Sequence, residues 1–161
     1  MEIQPEVTVR PMTLEEFANI REHTIREYAA VHVSVGNWTA EESIEQSTQS
    51  IDKLLPDGVA TDKTLLLTAV IEDSIPIGYL WIGLERGPTK DAGAWIYDIE
   101  LYEQFRGKGY GRALLKQAEV ETKSHGVNKL GLNVFGSNTV ARNLYESAGY
   151  ITKTLQMSKE L

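Results

Sequence analysis

QFRGKGYGRALL, residues 104–115, sets glycines at 107, 109 and 111, surrounds them with Arg106, Lys108 and Arg112, and runs directly into an apolar, helix-like pattern. Before it lies AWIYDIELY (94–102), a β-rich run. A strand feeding a glycine turn that opens a helix gathers several unpaired backbone N–H groups and the positive end of the helix dipole at one point. Such a point binds phosphate. Glycine serves where a Cβ would block the ligand or the backbone needs positive φ, and the neighbouring Arg and Lys add charge-assisted bonds. Two familiar phosphate motifs do not fit. The P-loop needs G-x-x-x-x-G-K-[ST], but Lys108 precedes Gly109 and no hydroxyl follows; the dinucleotide fingerprint needs G-x-G-x-x-G, but the spacing is G-x-G-x-G and no second βαβ half follows.

The rest of the chain narrows the function classes. Its 161 residues suggest one α/β or α+β domain with a core of its own. Hydrophobic residues at 42% and charged residues at 24% are ordinary for a soluble protein. No apolar run approaches the ~20 residues of a membrane span. MEIQPEVTVR lacks a basic segment followed by an apolar one, so a cytoplasmic location is expected. With no cysteine, a disulfide framework, a thiolate zinc site and a Cys nucleophile are all excluded. His23, His32 and His125 have no ligand spacing and read as surface or helix-cap residues, so no metal is expected. A net charge of −7 argues against nucleic acid as partner. The charge is uneven: residues 104–129 carry six basic and two acidic side chains, a balance of +4 that leaves −11 elsewhere.

Working outward, VTVRP (7–11) reads as a strand. Thr13 with Glu16, and Thr39 with Glu42, are capping boxes opening two helices, the first reaching about Val33 and the second ending at Pro56-Asp57-Gly58. TLLLTAVI (64–71) and IPIGYLWIGL (75–84), separated by Glu72-Asp73-Ser74, predict an antiparallel hairpin. A helix over 109–125 ending at Gly126, a strand KLGLNVF (129–135), a short helix 138–148 ending at Gly149, and a last strand YITKTLQMSKEL complete the order β-α-α-β-β-β-α-β-α-β.

With these residues assembled, the glycine turn resembles the acetyl-CoA signature Q/R-x-x-G-x-G/A of the GNAT superfamily of N-acetyltransferases. Gln104, Gly107 and Gly109 satisfy it, as do Arg106, Gly109 and Gly111 two residues on. Downstream, LGLNVFGSNTVARNLYESAGY (130–150) is similar to the family's N-x-x-A-x-x-L-Y-x-x-x-G-F/Y motif, with Asn138, Ala141, Leu144, Tyr145, Gly149 and Tyr150 in its places. The resemblance covers nearly the whole chain. It implies a mixed, mostly antiparallel sheet of six to seven strands flanked by about four helices, and acetyl transfer from acetyl-CoA to a primary amine by direct attack in a ternary complex. The acceptor would be a small-molecule amine or a peptide amino group. A homodimer is also in keeping with the family.

Site residues follow from the resemblance. The cofactor's pyrophosphate would meet the turn Gln104, Phe105, Arg106, Gly107, Lys108, Gly109, Tyr110, Gly111 and Arg112. The pantetheine arm would pair along Ile99, Glu100 and Leu101, whose N–H groups could also stabilise an oxyanion, and would meet Asn138. Tyr145 would be the general acid; a phenol with a pKa near ~10 can protonate a departing thiolate of similar basicity. At seven residues apart, Asn138 and Tyr145 would share one helix face. The family places its general base variably, so that role rests on the residues themselves. Asp98 and Glu100 alternate with Ile99 and Leu101, so both carboxylates share one face of an otherwise buried strand and are the candidates for base or for anchoring a cation; a salt bridge or an exposed edge is the alternative. Tyr97 and Asn133 are weaker candidates. Trp38 and Tyr28, near Glu27 and His32, with Asn133, are the candidate acceptor-pocket residues. Two other classes remain: a catalytically silent acyl-CoA sensor, and a nucleotide-binding domain that the glycine spacing disfavours.

Overall fold

The computed structural model describes residues 5–72, 74–85 and 92–161. Five strands, Thr8–Pro11 (β1), Thr64–Ile71 (β2), Ile75–Gly83 (β3), Ala94–Leu101 (β4) and Leu130–Leu132 (β5), form one sheet in the order β1-β2-β3-β4-β5. The first four are antiparallel neighbours, and β5 runs parallel to β4. The helices are Leu14–Ser34 (α1), Ser43–Leu54 (α2), Tyr110–Ser124 (α3) and Thr139–Ser147 (α4). The β2–β3 hairpin forms as expected; Asp73, in its turn, lies outside the described residues. No helix among the described residues is long and apolar enough to cross a membrane.

Local chemistry sets the helix ends. At α1 the capping box is complete: the Glu16 N–H donates to Thr13 Oγ1 at 3.1 Å and the Thr13 N–H to Glu16 Oε1 at 2.9 Å. The Glu16 carboxylate also accepts both guanidinium nitrogens of Arg10, at 2.7 and 3.1 Å, and the Thr68 hydroxyl at 3.0 Å. This donor set, Arg10 foremost, holds its carboxyl down at about 2. The Thr39–Glu42 box makes the same reciprocal contacts, both at 3.4 Å, one turn ahead of α2.

Period-two alternation divides the sheet between two cores. Leu66, Tyr79 and Trp81 face α1 and α2 with Met12, Ile25, Ile51 and Leu55. On the other face Leu67, Ala69, Leu80, Ile82 and Ile96 meet Leu114, Leu115 and Ala118 of α3. Residue Ser47 ties the helix pair together by donating to the Ile25 carbonyl at 2.7 Å.

The sheet is smaller than its sequence suggests. The strand expected over 129–135 is confined to Leu130–Leu132, and the last expected strand does not form: residues 151–161 carry no regular structure and are exposed throughout. Alternation makes a segment competent to be a strand, but a strand exists only where another strand's free edge satisfies its backbone. After Gly149, at φ +95°, residues 151–161 are exposed and pair with no strand among the described residues.

Candidate active site

Bulging in β4 sets the direction of its carboxylates. Trp81 pairs with Asp98 but the next residue, Ile82, pairs with Ile96, leaving Tyr97 as an extra residue in β4. Strict alternation from Ile96 would send Asp98 into the α3 core. The extra residue resets the phase, so that Tyr97 stacks on Trp81 with ring centroids 5.0 Å apart and Asp98 and Glu100 turn toward α1. Ile99 and Leu101 keep to the α3 side.

There the carboxylates share one phenol. The hydroxyl of Tyr79 lies 2.9 Å from Asp98 Oδ2 and 3.1 Å from Glu100 Oε2. Thr24 donates to the same Asp98 oxygen at 3.3 Å, His23 Nε2 lies 3.1 Å from Glu100 Oε2, and Arg106 reaches Glu100 Oε1 at 3.3 Å. Burial is the main cause that lifts the Asp98 carboxyl to about 6; the Glu100 charge adds to it, against the hydrogen bonds from Tyr79 and Thr24. A carboxylate poised near neutrality can accept a proton at physiological pH. Tyr79 is pushed far above the ordinary phenol range by burial and by both carboxylates, and so acts only as a donor.

Beyond Ile96 the sheet opens. The β4–β5 pairing ends at Ile96 and Leu132, so residues 97–101 of β4 have no strand on that side among the described residues. The Tyr102 N–H donates to the Ile77 carbonyl on the β3 side at 2.8 Å. Alternation therefore turns the backbone groups of Ile99 and Leu101 into the opening. Gly78 lets β3 and β4 approach this closely, since a Cβ there would run into the Glu100 carbonyl oxygen.

The glycine turn begins one residue past β4, with a short 3₁₀ turn over Glu103–Phe105. Gly107 and Gly109 take left-handed φ of +71° and +85°, and Gly109 is the N-cap of α3. A Cβ at Gly107 would meet nothing within 4 Å, so the turn faces open space there, while Gly109 stands against Pro5 and Gly111 against Leu144 and Leu101. The free N–H groups of the first turn of α3 point out at this position. The basic side chains find protein partners: Arg106 Nε donates to the Leu101 carbonyl at 2.9 Å, Lys108 to the Gln104 carbonyl at 2.8 Å, and Arg112 to Ser147 Oγ at 2.6 Å. The last of these ties the glycine-turn helix to α4.

Helix α4 supplies Tyr145, half-buried against the α3-side core. Burial raises its pKa above the ordinary phenol value, and the Asp98 charge adds to the rise. Asn138 differs from its sequence reading. It precedes the helix as N-cap, with its side chain accepting from the Ala141 N–H at 3.2 Å, because an Asn at that position satisfies a free donor of the first turn. Its side-chain oxygen is thereby engaged with the start of the helix that carries Tyr145.

On the acceptor side, Tyr28, His32 and Trp38 form one aromatic group: Trp38 stacks on His32 at 4.1 Å and Tyr28 meets both rings edge-on. Tyr28 is one helical turn beyond Thr24, on the face of α1 that touches Asp98. Asn133 follows β5 and is exposed. Sequence reasoning missed His23, Thr24 and Tyr79, each supplied by a different element from the carboxylates they touch. A tyrosine flanked by apolar residues in a buried strand carries no sign of its partner.

A model described as the acetyltransferase (GNAT) family matches residues 21–150. The Bacillus subtilis protein YycN, described as an uncharacterized N-acetyltransferase, is 36% identical over 156 residues, covering 96% of this chain and 99% of YycN. Its crystal structure aligns with a TM-score of 0.89 over 96% of this chain and 98% of that one. YdgE, likewise an uncharacterized N-acetyltransferase of B. subtilis, is 31% identical over 96% of this chain and 98% of its own length. A shorter match, 36% identical over 63 residues (39% of this chain, 43% of the relative), links it to the ribosomal protein bS18-alanine N-acetyltransferase of Escherichia coli K12.

Proposed function

The chain belongs to the GNAT acetyltransferase family, and from that premise we propose that it transfers the acetyl group of acetyl-CoA to a primary amine by direct attack in a ternary complex. The observation that carries this reading is the edge of β4 that, among the described residues, has no strand partner past Ile96, leads directly into the glycine turn that opens α3, and carries the carboxylate of Asp98.

Acetyl-CoA supplies an activated thioester. The left-handed turn at Gly107 and Gly109, open at Gly107 and bordered by Pro5 at Gly109, with the amides that begin α3, suits its pyrophosphate. The outward backbone of Ile99 and Leu101 suits its amide-bearing arm, with Asn138 and Tyr145 alongside. Arg106, Lys108 and Arg112 leave their present partners or share them to meet phosphate oxygens.

Asp98 accepts a proton from the ammonium of the acceptor, directly or through a water, which frees the nitrogen lone pair for attack. Glu100, held by His23, Arg106 and Tyr79, keeps the site anionic so that a cation is drawn to it. As the carbon–sulfur bond breaks, the Tyr145 hydroxyl gives its proton to the sulfur and regains one from the attacking nitrogen, directly or through a water, as the amide forms. Tyr28, Trp38 and Asn133 are the proposed acceptor-side contacts. The amine is a small molecule or a peptide amino group, and the bS18-alanine relative supports the second.

Calorimetric titration with acetyl-CoA, CoA and ATP, using Gly109→Trp as control, tests the cofactor site. Tight acetyl-CoA binding lost in the control is expected; tighter ATP binding, or no CoA binding, overturns the reading. Thiol release across a panel of amines then tests transfer, with no background because the chain has no cysteine. Binding without release from any amine would leave a silent CoA sensor.

A further inference from the structure

A base that takes a proton in every turnover must also lose it. Asp98, the base in the reading above on which this inference rests, is half-buried and accepts from the Tyr79 and Thr24 hydroxyls. An ammonium within hydrogen-bond reach of it occupies the approach by which water would carry the proton away. Another way out is needed while the acceptor is bound.

A continuous series of hydrogen-bonding atoms leads from Asp98 to the surface. Asp98 Oδ2 lies 2.9 Å from the Tyr79 hydroxyl, that hydroxyl lies 3.1 Å from Glu100 Oε2, and the same oxygen lies 3.1 Å from His23 Nε2. All three contacts are short enough to pass a proton without a bridging water. Exposure rises along the series, from 2% for Tyr79 to 27% for the Glu100 side chain and 40% for that of His23. Three different elements supply it, β3, β4 and α1. Arg106 holds the other Glu100 oxygen, Oε1, at 3.3 Å, which fixes the carboxylate with Oε2 between phenol and imidazole. The Tyr102 phenol also feels the Glu100 charge, and His23 that of Asp98.

The proton count favours passage along it. While both carboxylates are ionised, Tyr79 only donates and has one proton for two contacts. Once Asp98 holds a proton there is one for each: Asp98 donates to the phenol oxygen and the phenol donates to Glu100. We propose that Tyr79, Glu100 and His23 carry the proton of Asp98 to solvent. The Asp98 O–H bond breaks as a new Tyr79 O–H bond forms, and the phenol's own proton passes to Glu100 Oε2. The Glu100 O–H then turns to His23 and gives its proton to Nε2 of the neutral imidazole, which releases its Nδ1 proton to water; exchange with solvent restores the first tautomer. One proton leaves Asp98 and one reaches solvent. The phenol stays neutral throughout, as its burial between two carboxylates demands. Tyr79 and His23 act through Asp98 and are positioning residues.

The test follows thiol release at pH 8 and fixed ionic strength, with the amine of the panel that wild type acetylates fastest, as imidazole is added and a blank without protein is subtracted. His23→Ala is expected to lower kcat about tenfold with both KM values unchanged, and imidazole to restore most of the loss while leaving wild type unaffected. Tyr79→Phe is expected to lower kcat at least as far without restoration, because its break lies in the core where a buffer does not reach. A side chain that only packs gives no response to a proton carrier in solution. His23 is partly exposed, so its variant decides the matter even where Tyr79→Phe does not fold. A His23→Ala chain with wild-type kcat, a deficit that imidazole does not relieve, or a folded Tyr79→Phe chain of undiminished kcat overturns the relay alone. Thiol release by wild type from no amine overturns the acetyl-transfer reading, and the relay with it.

Discussion

Asp98 and Glu100 accept from a single donor, the Tyr79 hydroxyl, which lies 2.9 Å from one carboxylate and 3.1 Å from the other. A phenol has one proton, so it cannot fully satisfy both. Tyr79 itself is sealed in the core at 2% exposure and cannot move to choose. Asp98 receives in addition a 3.3 Å bond from Thr24, whereas Glu100 has Arg106 and His23. Burial, with the nearby Glu100 charge adding to it, lifts the Asp98 carboxyl to about 6.

The pH dependence follows from the sign of that shift. Asp98 moves up from 3.8 to about 6, so as base it is ionised and competent only above that value. Acetyl transfer is expected to rise through about pH 6, and Asp98→Asn to lower kcat about 10²-fold without this rise. The folded chain binds the Asp98 proton more tightly than the unfolded chain. The ionisation of Asp98 therefore costs stability as pH rises from about 4 to 6, and Asp98→Asn should be more stable by on the order of 1 kcal/mol at pH 8. Thermal unfolding at pH 8 with the rate profile checks both; a less stable variant with normal turnover would sink the assignment.

Tyr145→Phe keeps the packing of the ring against the α3-side core and removes the proton. The expected result is a fall in kcat of about 10²-fold with acetyl-CoA affinity within about twofold of wild type. Steady-state kinetics and calorimetry on one preparation separate the two effects, and unchanged kcat would leave the tyrosine a packing residue.

Gly107→Ala and Gly111→Ala should diverge. At Gly107 a methyl finds open space, but φ +71° strains it by about 1 kcal/mol, and it stands where the phosphate would sit. At Gly111, in helical backbone, the methyl makes ordinary contact with Leu144, and the change should stabilise by about 0.5 kcal/mol. Acetyl-CoA affinity is expected to drop at least tenfold in the first variant, read by titration alongside denaturant unfolding.

Glu16→Gln tests the electrostatic lock at the start of α1. The Glu16 carboxyl is depressed from 4.5 to about 2, so its contribution is complete above about pH 4.5 and disappears as pH falls through about 2. Glutamine keeps the capping box but loses the charge facing Arg10. A loss of about 1 kcal/mol at pH 7, shrinking toward zero at pH 2, is expected from urea unfolding at several pH values.

Local signals were strong enough to be read directly. Thr13 with Glu16 capped a helix, β-rich runs at 64–71 and 75–84 separated by a short polar turn made a hairpin, and three glycines after a strand and at the start of a helix marked the turn, because each depends on residues a few positions apart. The same locality made both carboxylates of 98 and 100 visible as a pair. It did not reveal that Asn138 caps α4, which depends on where that helix begins.

What the chain order alone determined was therefore the family, the order of elements and the phosphate-type turn, all products of short-range periodicity and backbone sterics. Only the tertiary structure decided that a bulge at Tyr97 turns Asp98 toward α1, that His23, Thr24 and Tyr79 surround the carboxylates, that β5 stops after three residues, and that residues 151–161 find no edge in their own chain. Each of these depends on groups brought together across long separations, 77 residues for His23 and Glu100. Burial, charge and strand pairing act through space, and no local pattern records which distant neighbour will supply them.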